Sequence, residues 1–64
     1  MKFHDEVLEI LNRLLEDGEL RGVREEELNN YRLMVRWSNT VYSFVRDGRY
    51  YPTIHRKVLS KYKF

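Results

Sequence analysis

The chain has 64 residues, a net charge of +2 and no cysteine, which rules out disulfides and thiolate metal sites within it. Two histidines are too few for a protein-only zinc site, which takes about four ligands. A domain this short buries only about 60% of its unfolded surface, so a partner or a second copy would add stability.

No apolar run approaches the roughly 20 residues of a membrane span. The opening MKFHDEVLEI is charged from the outset, which predicts no secretory leader. With the lack of cysteine, this points to a cytoplasmic protein without membrane association. The charge is divided: residues 1–31 carry four basic and nine acidic groups, net −5, and residues 32–64 carry eight basic and one acidic, net +7. Such asymmetry raises the prospect of an anionic partner, unless the halves neutralise each other in the fold or across a dimer.

The first predicted element is a helix over about residues 4–17. On a 3.6-residue wheel Phe3, Val7, Leu8, Ile10, Leu11, Leu14 and Leu15 share one arc, and Asp5, Glu6, Glu9, Asn12, Arg13, Glu16 and Asp17 fill the other. Asp5 and Glu6 suit the positive end of the helix dipole. Gly18 suits a left-handed stop.

Glu25, Glu26 and Glu27 mark the start of a second helix. Its end is ambiguous. The stretch SNTVYSFV, Ser38 to Val45, consists of poor helix formers, several of them good strand formers. Asp47-Gly48 could then close a β-hairpin over residues 40–54. Read as a strand, however, residues 40–46 have no cleanly apolar face. The helical apolar phase runs on through Val45, with Asn29, Arg32, Arg36, Asn39, Thr40, Ser43 and Arg46 on the polar third. We therefore expect one long central helix over about 24–46, spanning about 33 Å, stopped by Asp47-Gly48 as the first is by Asp17-Gly18.

A third helix is expected over about 53–63, with Pro52 in or just before its first turn and Thr53 as N-cap. Ile54, His55, Val58, Leu59 and Tyr62 share its inner arc; Arg56, Lys57, Ser60, Lys61 and Lys63 form a basic outer face. The expectation is an all-α, three-helix domain. The apolar arc of so long a central helix exceeds what two short partners cover, which favours a homodimer.

The basic residues Arg32, Arg36, Arg46, Arg49, Arg56, Lys57, Lys61 and Lys63 gather towards the passage from the second helix to the third. Tyr50 and Tyr51 lie among them in an expected exposed loop. Cations attract phosphates and tyrosines stack or hydrogen-bond, so these are ingredients of a nucleic-acid surface. A basic solvent face is the commoner explanation of such a stripe. Within it, GRYYPTIHRK, Gly48 to Lys57, resembles the turn and recognition-helix start of resolvase- and transposase-type helix-turn-helix domains. A turn glycine leads there, four residues on, into Pro-Thr-Ile and a basic pair. Phe44, Arg49 and Tyr50 stand where that pattern has small, apolar and Ser/Thr residues. The resemblance implies that Thr53, His55, Arg56 and Lys57 face phosphates or base edges.

The expected nucleic-acid surface is thus Arg46, Arg49, Tyr50, Tyr51, Thr53, His55, Arg56, Lys57 and Lys61. The rival expectation is a protein-interaction module, an adaptor or inhibitor, that uses Leu33, Trp37 and Phe44. No phosphate loop, catalytic carboxylate pair or nucleophile placed with His4 or His55 appears, so no enzyme, cofactor or metal is expected. The acidic groups Glu16, Asp17, Glu19, Glu25, Glu26 and Glu27 read as a solvated surface, relieved by Arg21 and Arg24.

Overall fold

A computed structural model describes residues 2–62, so Lys63 lies outside the described residues. The order is α1 (Lys2–Glu16), α2 (Glu25–Trp37), α3 (Val41–Asp47), a 3-10 turn (Gly48–Tyr50) and α4 (Pro52–Lys61). The described chain is all-helical, with four α-helices rather than three.

Helix α1 forms as its pattern dictates, burying Phe3, Val7, Leu11 and Leu14. It ends on a left-handed Gly18, φ 75°. The Gly18 N–H donates to Leu15 O at 3.2 Å and the Glu19 N–H to Leu14 O at 3.0 Å, the paired bonds of a Schellman stop. Leu20 anchors the connection in the core.

The long central helix is not formed. Its expected length of about 33 Å already exceeds the longest dimension of the fold, 28 Å. The chain leaves α2 at Ser38, whose backbone is extended at φ −73°, ψ 123°. Two hydrogen bonds make the break, one local and one reaching across from α1. The Ser38 hydroxyl donates back to Met34 O at 2.8 Å, and His4 Nε2–H donates to Ser38 O at 2.6 Å. The carbonyl that would have received the Tyr42 N–H is thereby captured from α1. Two residues on, Thr40 starts α3 with a reciprocal cap: Ser43 N–H donates to Thr40 Oγ1 at 3.0 Å and Thr40 N–H to Ser43 Oγ at 3.1 Å. The unbroken apolar phase was a misleading signal, and the run of weak helix formers the informative one.

The break turns Phe44 inward. It joins Tyr31, Val35, Ile54, Val58 and the α1 stripe in one buried cluster. Phe3 and Tyr31 pack on its ring at centroid distances of 5.8 and 6.4 Å. Much of the apolar surface that had argued for a dimer is covered in this way.

Gly48 is not a left-handed stop like Gly18. Its φ of −62° and ψ of −17° are right-handed, and the chain continues into the 3-10 turn. Thr53 is not the N-cap. Tyr51 takes that place at φ −128°, ψ 65°, outside the α region that a following proline disfavours. Pro52 is the first helical residue, where its missing N–H costs nothing.

Candidate nucleic-acid interface at the α3–α4 corner

The corner is built around His55. Its ring is buried, with Tyr31 OH 2.8 Å from Nδ1 and Val45 O 3.2 Å from Nε2. A carbonyl only accepts, so Nε2 carries the proton and Nδ1 accepts from the tyrosine hydroxyl. The ring stands where a Gly48 side chain would be: a Cβ there would meet Cε1, Nδ1 and Nε2. Phe44 packs edge-on to the imidazole at 5.0 Å. Desolvation lowers the His55 pKa below 6.5, the Val45 carbonyl opposing in part. Burial raises the Tyr31 phenol. One side chain thus ties α4 to α2, α3 and the 3-10 turn.

This overturns one expectation. His55 does not face an anionic ligand, because both ring nitrogens are spent inside the protein. Tyr51 is corrected too. It is half-buried, its ring edge-on to Tyr31 at 5.7 Å, so only Tyr50 is the exposed tyrosine of the turn. Phe44 is fully buried and offers no partner surface.

What the corner does present is compact. Arg46, Asp47, Arg49 and Tyr50 line one cleft. Tyr50 is 81% exposed and Tyr42 74%. The Arg46 guanidinium lies 5.8 Å from the Tyr42 ring centroid and 3.0 Å from Asp47 Oδ1. The Asp47 carboxylate, first by its hydrogen bond and then by its charge, raises the Arg46 pKa. On α4, Thr53 and Arg56 are exposed and Lys57 is half-buried.

Lys61 belongs elsewhere. It lines two clefts with α1, one including Asp17 and Glu19, the other Glu6 and Glu9. Ion pairs do not join the acidic and basic halves: among the described residues the two pairs are Arg13–Glu9 and Arg46–Asp47, both local in sequence. Arg49, Arg56 and Lys57 have no carboxylate partner among the described residues.

A second surface lies on α2. Asn30, Leu33, Met34, Trp37 and Tyr51 line a shallow cleft, and Trp37 is 81% exposed. The Leu33 and Trp37 expected at an interface are therefore accessible.

Sequence reasoning missed Tyr42 as a surface ring. It lies within the helical apolar phase that runs through Val45, yet its ring is exposed. Among the described residues no three acidic or histidine side chains are grouped to hold a metal ion, and no helix is long and apolar enough to cross a membrane. No family model matches the chain, and no curated protein or solved structure matches it significantly.

Proposed function

We propose that this protein is a small nucleic-acid-binding protein that contacts the phosphate backbone through the α3–α4 corner. The observation that carries the reading is the cluster of Arg46, Arg49 and Tyr50 in one open cleft, with Tyr42 beneath Arg46. Arg56 and Lys57 extend the positive surface onto α4. Arg49, Arg56 and Lys57 lack carboxylate partners among the described residues, so their charge is available to phosphates. Binding of this kind displaces counterions, and affinity falls steeply as salt rises. Anisotropy titrations of labelled oligonucleotides between about 50 and 200 mM salt test it. The Arg49→Gln, Arg56→Gln variant should weaken binding and flatten the log–log salt slope by about 2. Absence of binding at the lowest salt overturns the proposal.

A second reading has its own observation, the exposed Leu33–Trp37 cleft, which suits a protein partner or a second copy of the chain. It predicts that Trp37→Ala abolishes partner capture or self-association while Arg56→Ala with Lys57→Ala does little. Sedimentation as a monomer at high concentration removes the homodimer form of this reading.

A further inference from the structure

We infer that the corner takes single-stranded nucleic acid in preference to duplex. This rests on the nucleic-acid reading above and specifies its ligand.

Tyr42 and Tyr50 are two exposed rings, each beside Arg46 or the cleft it lines. Tyr42 lies under the Arg46 guanidinium, and Tyr50 lines the cleft that Arg46 and Arg49 share. In a duplex the base faces are covered by their neighbours, so an exposed ring meets only edges, sugars and phosphates. In a single strand the faces are free. Stacking one base on an exposed ring is worth about tenfold or more in affinity and is sequence-tolerant, because every base has a π-face. The arginines alongside supply phosphate contacts and their own stacking planes. Asp47 sits in the same cleft, but its carboxylate is held on Arg46, which limits its repulsion of a phosphate.

The duplex alternative has less to work with. A recognition helix needs several side chains that reach base edges from one face. On α4, Ile54, His55 and Val58 are buried, and the polar residues left are Thr53, Arg56, Lys57, Ser60 and Lys61, the last lying in clefts with α1. The turn before it is a right-handed 3-10 turn rather than a left-handed glycine corner. It leaves Tyr50 exposed directly before α4.

The test compares a labelled mixed-sequence strand of about 12 nucleotides, within the size range of small single-strand sites, with the duplex of the same sequence at low salt. The native chain should bind the strand about tenfold or more tighter than the duplex. The Tyr42→Leu, Tyr50→Leu variant should lose that preference, and Tyr42→Phe, Tyr50→Phe should keep it. Far-UV circular dichroism of the exposed-site variants should match the native chain. Equal or tighter binding of the duplex overturns the single-strand inference and leaves the nucleic-acid reading standing. A strand preference that survives the leucine variant overturns the assignment to these two rings. Failure of both ligands to bind overturns the inference together with the reading beneath it.

Discussion

Replacing Gly48 by alanine sets two physical effects against each other at the corner. The residue has φ −62° and ψ −17°, a conformation any L-residue adopts. On backbone grounds alone Gly48→Ala should stabilise by about 0.5–1 kcal/mol. Against this, the new methyl would occupy the space of the His55 ring. The ring cannot retreat, because Phe44 and Tyr31 pack against it at 5.0 and 5.8 Å. If it stays, overpacking costs about 1–3 kcal/mol. If it leaves, the Tyr31 hydroxyl and the Val45 carbonyl each lose a partner, at about 1–3 kcal/mol apiece. The less costly of the two routes sets the penalty; it outweighs the backbone gain, and the net destabilisation should be about 1–2 kcal/mol. The total stability of a chain this size is about 3–10 kcal/mol. The midpoint of thermal unfolding, followed by far-UV circular dichroism, should fall by about 5–15 °C. In a His55→Ala background the same substitution should cost nothing or stabilise, giving a large coupling energy in the cycle. A Gly48→Ala protein as stable as the parent refutes the packing described for His55.

Four further outcomes are expected. His55 is held neutral, so its folded pKa lies below the 6.5 of the unfolded chain, and the unfolded state takes up the proton first. Its contribution should be complete above about pH 6.5 and decline as pH drops from there towards the folded value. Urea midpoints across that window should slope accordingly, with His55→Leu removing the slope. Thr40→Ala should cost about 1 kcal/mol of stability by chemical denaturation, because it deletes a cap; in a continuous helix the better helix former would be neutral or stabilising. Phe44→Ala should cost about 3–5 kcal/mol, read as a fall in the urea midpoint. Trp37→Ala should shift stability by less than about 0.5 kcal/mol.

The legible parts of the fold were those where local and tertiary demands agree. The α1 stripe and its Asp17-Gly18 stop could be read from spacing alone. The break after Trp37 could not, because what completes it is long-range: the carbonyl of Ser38 is taken by His4, 34 positions earlier. The local half of the signal was present in Ser38 and in the Thr40–Ser43 pair, which forms a capping box with serine in place of the usual Glu or Gln. The helical phase survives a break when the chain re-enters a helix in similar register, so periodicity could not arbitrate. The basic residues of the corner were legible as composition. Which of their neighbours point outward was legible only in part: the inner arc of the last helix already held His55, whereas the exposure of Tyr42 runs against its place in the apolar phase. Lys61 was grouped with the corner by its sequence neighbours, whereas the end of α4 lies along α1.

The placement of Trp37 has a practical consequence for how this molecule reports on itself. It is the single tryptophan of the chain and projects into solvent from α2. Its emission should already be that of a hydrated indole in the native state, so denaturation should alter its spectrum little. A ligand or second chain that covers α2 should shift it to the blue. Folding and occupancy of that surface are thus separable optically in the unmodified protein, the first through the backbone signal and the second through one native fluorophore.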